Sequence, residues 1–310
     1  MGIVVFGAVF VDIKGYPLSL YIPRGRNMGR VLQVHGGVSR NVAEDLGNLG
    51  LNPTFISVVD ESGISTDVLD RLSSHGVDTR YIRKTADGLG TWLAIFDNQG
   101  DVTASISKRP DLSEISSIIE GHGPQIMEKA DSIVVEIDME EDLLLRIFDL
   151  ADAWGKSVYA VVSNMSIALA RRNLLQRTGC IVCNAQEAGI LFSDSFEDKS
   201  PAQLLSVLPQ KIEHARIPRL IITMGDQGAV FAELHGEAGY CPANEVQVVD
   251  TVGAGDSFFA GVAAGLTYGK SLAEACAIGT RLASSVIATK ENVCPVFRPE
   301  EFGLFPKGGF

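Results

Sequence analysis

No apolar run in this 310-residue chain approaches the roughly 20 residues a membrane-spanning helix needs, and the start, "MGIVVFGAVFVDI", lacks the basic residues of a secretory signal. The expected location is therefore cytoplasmic, with no membrane partner. Basic residues are also scarce: 26 Lys and Arg face 38 Asp and Glu, a formal charge of −12. A nucleic-acid polymer is disfavoured as a partner, because such binding draws on clustered cations to displace counterions. Cysteine is sparse and odd in number, five in all, which reads as reduced thiols rather than a disulfide framework. The CxxC spacing of Cys180 and Cys183 falls in the apolar, strand-like "CIVCNA", where residues three apart point to opposite faces, so both are read as core. The five histidines show no ligand spacing, which argues against a zinc centre.

What is abundant is apolar material, 46% of residues, enough for one large core. Continuous apolar runs rich in β-branched residues recur as "GIVVFGAVFVDI", "TFISVV", "DSIVVEI", "KSVYAVV", "GCIVCN" and "PRLIITM". Each reads as a strand buried on both faces of a sheet. Between them lie segments with apolar residues three and four apart, such as "SRNVAEDLGNLG" and "EEDLLLRIFDLADAWG". This alternation predicts an α/β fold, a mostly parallel sheet covered by helices on both faces. One segment breaks the rhythm. "GLGTWLAIFDNQGDVTASIS" reads as a β-hairpin around Asp97–Gly100, and residues 12–35 have no helical period. Segments 12–35 and 91–108 are expected to form a small β-sheet lid inserted in a single domain spanning 1–310.

In "QVVDTVGAGDSFFAGVAAGL" a β-branched run meets Gly253-Ala254-Gly255, and an apolar helical pattern opens on Asp256. Backbone N–H groups from Gly253 to Asp256 would lie at the positive end of a helix dipole, where phosphate oxygens are favoured. A carboxylate there gains nothing by attraction to phosphate, so Asp256 suits a general base that deprotonates an attacking hydroxyl. The same residues also suit a tight turn with a capping acid.

"DTVGAGDSFFAG" resembles the C-terminal signature of the PfkB (ribokinase-like) carbohydrate kinases, and "GGVSRNVAEDLGNLG" at 36–50 resembles their N-terminal diglycine signature. The resemblance covers nearly the whole chain. It implies a ribokinase-like fold and phosphoryl transfer from ATP with Mg²⁺ to a hydroxymethyl group, with K⁺ activation left open. It also implies Asp256 as base, Gly253, Ala254 and Gly255 as anion hole, and a homodimer formed through the lid. "TMGDQG" resembles the family's nucleotide loop, with Thr223, Gly225 and Gly228 against the ATP phosphates; by itself it is a weak signal that in most proteins is a β-turn. "NAQE" resembles the element that organises Mg²⁺ and phosphates, placing Asn184 at the nucleotide and Glu187 at the metal; its plain reading is an Asn-capped helix with a surface Glu.

For the acceptor, the resemblance places Asp12, Gly36, Gly37 and Asn41 around sugar hydroxyls, with Asp138 at the same strand edge. Carboxylate and amide groups suit vicinal hydroxyls because each can make paired hydrogen bonds. Val38 and Phe10 stand where ribokinase carries lysine and asparagine. The pattern "GGVSRNVAEDL" with "VDIKGY" is similar to the pseudouridine kinases of the family, which makes pseudouridine the expected acceptor, with ribose or fructose, or a catalytically silent sugar- or nucleoside-binding regulator on the same fold, as the alternatives. Thr91, Lys108 and Arg109 are expected to face the base, or else to be a strand residue and two solvated cations.

Overall fold

The first apolar run does not continue as one strand. A computed structural model describes residues 2–305, and in it the run divides at Gly7 between two sheets. In chain order the strands are β1 (Val4–Phe6), β2 (Phe10–Pro17), β3 (Gly29–Gly36), β4 (Thr54–Val59), β5 (Ile82–Lys84), β6 (Gly90–Phe96), β7 (Val102–Lys108), β8 (Ile133–Glu136), β9 (Val158–Val161), β10 (Cys180–Asn184), β11 (Arg219–Thr223), β12 (Ala229–Glu233) and β13 (Ala238–Cys241). The main sheet has the order β13-β12-β11-β10-β9-β8-β1-β4-β5, parallel from β11 to β5 and antiparallel at β12 and β13. The second sheet, β3-β2-β6-β7, is smaller and separate and corresponds to the expected lid. It runs from residues 10 to 36 and 90 to 108, close to the expected segments.

Strand β1 shows why the main sheet is apolar throughout. Val4 and Phe6 enter one hydrophobic cluster and Val5 the other, so both faces are covered by helices. Cys183 and Cys180 divide between the same two clusters, which makes the CxxC pair core. Gly7 explains the break after β1. The Ser39 side chain occupies the space a side chain would take there, and Glu136 closes in from β8. The chain must pass between them as bare backbone and leaves for the lid.

Strand alternation gives the lid two unlike faces. Asp12 is in register with Trp92, and Phe10 and Tyr16 share that face. Tyr16 stacks on Phe96 and Trp92 meets Phe96 edge-on. Burial, and after it the charge of Asp250, raises the Tyr16 pKa. The opposite face exposes Val31, Leu93 and Ile106. At the hairpin tip, Asn98 accepts from the Tyr21 amide at 2.7 Å and donates to the Ser19 carbonyl at 2.9 Å, tying the lid's two segments together.

Candidate active site

Two helix starts meet at the carboxyl ends of the parallel strands, the usual place for ligands in open α/β sheets. Gly37, at φ 97°, caps the helix Val38–Asn48, and Gly253, at φ 82°, caps the helix Ala254–Thr267. Across this junction Asn41 Nδ2 donates to Asp256 Oδ2 at 2.6 Å. Burial pushes the Asp256 carboxyl up to about 6, opposed by the Asn41 hydrogen bond and the Arg40 charge and reinforced by Asp12. Asp12 reaches the same space from β2. Its carboxylate lies over Gly36, where a side chain would approach Oδ1 within 2.5 Å, and burial raises its pKa as well. Asp12, Gly36, Gly37, Asn41 and Asp256 are therefore brought together.

Of the N–H groups expected to form an anion hole, one is already taken. The Ala254 N–H already donates to the Thr251 carbonyl at 3.3 Å, whereas Gly255 and Asp256 leave their N–H groups without a backbone partner. Next to them runs a cleft of about 490 Å³ lined by Thr223, Gly225, Gly228, Ala254, Gly255 and Phe258. Gly225, Gly228 and the glycine turn thus share one mostly apolar groove.

Two glycines of the turn do different work. A side chain on Gly253 would run into the Asn292 carbonyl, and the positive φ adds strain. At Gly255 a Cβ meets nothing within 4 Å and would project into free space. Gly255→Val should fold normally yet lower kcat/KM for the phosphoryl donor at least tenfold, about 1.4 kcal/mol, by crowding the free N–H groups. Gly253→Ala should instead lower the unfolding temperature. Thermal unfolding and steady-state kinetics on both variants check this, and full activity in Gly255→Val would remove the cradle.

Asn184 and Glu187 form a reciprocal capping box: the Glu187 amide donates to Asn184 Oδ1 and the Asn184 amide to Glu187 Oε2, both at 2.8 Å. Asn184 pairs in register with Thr223, so the box sits beside the nucleotide loop. Burial raises the Glu187 pKa, with the Asn184 amide opposing it. Among the described residues no group of three or more His, Cys, Asp or Glu side chains is arranged to hold a metal directly.

Lys108 is not brought to the site. Its ammonium pairs with Asp87 at 2.7 Å on the exposed surface, because its place on β7 turns it toward the loop before β6. Thr91 is in register with Val11 and so lies on the face away from Asp12. Trp92 takes the position expected of Thr91. Arg109 turns inward, with Nη2 2.5 Å from Asp138 Oδ2 and Nη1 2.9 Å from the Asp138 carbonyl.

Several site residues were not singled out from sequence. Glu136, at the end of β8, accepts from the Ser39 hydroxyl at 2.9 Å and the Ala8 amide at 3.3 Å; burial and the neighbouring Asp138 raise its pKa. A carboxylate inside an apolar strand, "VVEI", was the available signal. Behind Asp256, Asp45 accepts from the Ser257 hydroxyl at 2.8 Å and the Cys294 amide at 2.6 Å, and burial pushes it up to about 7. Asn292 Nδ2 spans the His35 carbonyl at 2.8 Å and Asn41 Oδ1 at 3.2 Å.

The model of the pfkB family carbohydrate kinases matches residues 2–295. The chain is 34% identical over 292 residues to a guanosine-inosine kinase of Exiguobacterium acetylicum, covering 94% of this chain and 95% of that one. It is 24% identical to the pseudouridine kinase of Escherichia coli, covering 88% and 86%. Among solved structures, Arabidopsis thaliana ribokinase complexed with ribose and ATP superposes with a TM-score of 0.82 at 18% identity, covering 97% of each chain. With its ribokinase-like fold, the chain belongs to the pfkB family of carbohydrate kinases and is a phosphotransferase acting on a sugar or nucleoside hydroxyl.

Proposed function

We propose that the protein transfers the γ-phosphoryl group of ATP to the 5′-hydroxyl of a ribonucleoside. The observation that carries this reading is the position of Asp256. It stands where the nucleotide groove and the Asp12, Gly36 and Asn41 set adjoin, held by Asn41 through Oδ2. Its remaining oxygen takes the hydroxyl proton as the 5′-oxygen bonds to phosphorus and ADP leaves. The free N–H groups of Gly255 and Asp256 meet the charge that builds on the phosphoryl oxygens. Thr223, Gly225 and Gly228 line the nucleotide groove. Magnesium would neutralise phosphate charge when bound with ATP. Glu187, with one oxygen held by the Asn184 amide, suits contact through the ion's waters, since this ion commonly keeps several of them.

A nucleoside is favoured over a free sugar by the relatives, whose names are guanosine-inosine kinase at 34% identity and pseudouridine kinase at 24%. Phe10, on the same face of β2 as Asp12, lines a further recess with Arg109 and Asp138, room beyond the acceptor set that suits a base. An ADP-release assay across free nucleosides and sugars tests the reading. Expected is a kcat/KM for inosine, guanosine or pseudouridine at least tenfold above ribose and fructose. A screen won by ribose or fructose would assign the protein to sugar phosphorylation instead.

A further inference from the structure

The recess beyond the sugar end holds an unusual atom. Asp138 is buried, and its Oδ1 has no hydrogen-bond partner, whereas Oδ2 accepts from Arg109 at 2.5 Å and from the Ser163 hydroxyl at 2.7 Å. The other unpartnered buried side-chain atoms among the described residues are hydroxyls of Thr54 and Thr85. Buried polar atoms in native proteins are nearly always paired, and an unpaired carboxylate oxygen is the costliest kind to leave. An ionised carboxylate can only accept, so what is missing is a donor.

That donor's place is set by contacts running back to the phosphoryl end. Asn41 holds Asp256; Ser39, two residues earlier on the same helix, holds Glu136; and Ser163 bridges Glu136 and Asp138, at 3.5 and 2.7 Å. On the nucleoside reading, Asp138 would face the C1 substituent of a ribose whose 5′-hydroxyl sits at Asp256. Phe10 supplies an aromatic wall in the recess. Arg109 uses two of its five N–H donors on Asp138 and keeps three. Its side chain is half exposed, so it is the part of the pair that turns aside to admit a base.

We propose that Arg109 and Asp138 together read a lactam edge on the nucleobase: a carbonyl oxygen that accepts from Arg109, beside a ring N–H that donates to Asp138 Oδ1. This rests on the nucleoside reading above. Guanine and hypoxanthine present that edge through O6 and N1–H, and uracil-type bases through a carbonyl beside an imide N–H. Adenine and cytosine present the reverse, an amino donor beside a bare ring nitrogen. Against this pair they set donor on donor and lone pair on carboxylate, and both partners stay unpaired.

The test compares inosine with adenosine, which differ only in that edge. For the wild-type enzyme, kcat/KM for inosine should exceed that for adenosine by roughly 10²-fold or more, within the range such hydrogen-bonding sites achieve. Asp138→Asn should lower the inosine-to-adenosine ratio at least tenfold, chiefly through the KM for inosine. 1-Methylinosine, which lacks the N–H, should be as poor a substrate for the wild type as adenosine, and this arm needs no variant to fold. Adenosine within threefold of inosine, 1-methylinosine equal to inosine, or an unchanged ratio in a folded Asp138→Asn protein would each overturn the lactam pair while leaving nucleoside phosphorylation standing. Turnover of ribose or fructose with no nucleoside accepted would remove both.

Discussion

Asp256→Asn should lower kcat by roughly 10²–10⁴-fold, the range a positioned general base supplies, and leave the KM for ATP nearly unchanged. Asparagine keeps the shape and still accepts from Asn41 Nδ2, so the junction between the two helix starts is preserved. What it loses is the capacity to take the hydroxyl proton in the transition state, and the loss therefore falls on kcat. The pH profile makes the assignment specific. With the carboxyl near 6, wild-type kcat should be level above pH 7 and fall about tenfold per unit well below pH 6, as the base becomes protonated. The variant should lack that limb. The same shift has a stability consequence of fixed sign. Because the folded-state pKa lies above the ordinary carboxyl value of 3.8, the carboxyl favours the fold most below pH 3.8, and that contribution is lost as pH rises to about 6. Asp256→Asn should thus unfold at an equal or higher temperature than wild type at pH 7. Turnover near the wild-type rate would remove Asp256 as the base, and a retained acid limb in the variant would assign that limb to another group.

The residues legible in the sequence sit at element ends, where backbone chemistry limits the choices. Gly253, Gly37, Asp256 and Asn184 mark turns or first helical turns, and such positions carry local signals that need no tertiary context. The parallel sheet was legible for a similar reason, since strands covered on both faces must be apolar throughout. The break between β1 and β2 was not, because both halves are apolar and only the approach of Ser39 and Glu136 to Gly7 divides them. Register also defeats a local reading. A hairpin was evident, yet whether Thr91 or Trp92 shares a face with Asp12 depends on how β2 pairs with β6, and one residue of slip exchanges them. Lys108 and Arg109 are adjacent cations with no local distinction, but one ends on the surface with Asp87 and the other against buried Asp138.

Arg40 stands to give the largest loss of stability of any side chain near the site. Its side chain is 1% exposed, and its guanidinium donates to Glu44 Oε2 and the His35 carbonyl, each at 2.5 Å, to Asn41 Oδ1, and to the Gly36 carbonyl at 3.3 Å. One planar group thereby ties the end of β3 to the first turns of the helix that follows the two glycines. Arg40→Met keeps most of the volume and deletes every donor. The His35 carbonyl retains Asn292, and Glu44 retains Arg71 at 2.7 Å, but Arg71 is also drawn to Glu291 at the surface. Removing one partner of a buried ion pair typically costs about 3–5 kcal/mol, because the other charge stays desolvated and underpaired. Denaturant unfolding of Arg40→Met should show a loss in that range. Arg40→Met with Glu44→Met should lose less than the sum of the two single changes, since the stranded charge leaves with its partner. Catalysis should suffer separately. Asn41 must present its amide N–H₂ to Asp256, and Arg40, together with Asn292, selects that orientation by donating to Asn41 Oδ1. At temperatures where Arg40→Met is still folded, its kcat should therefore fall at least tenfold. A stability loss below about 1 kcal/mol would mean that Arg71 and Asn292 suffice to hold this junction.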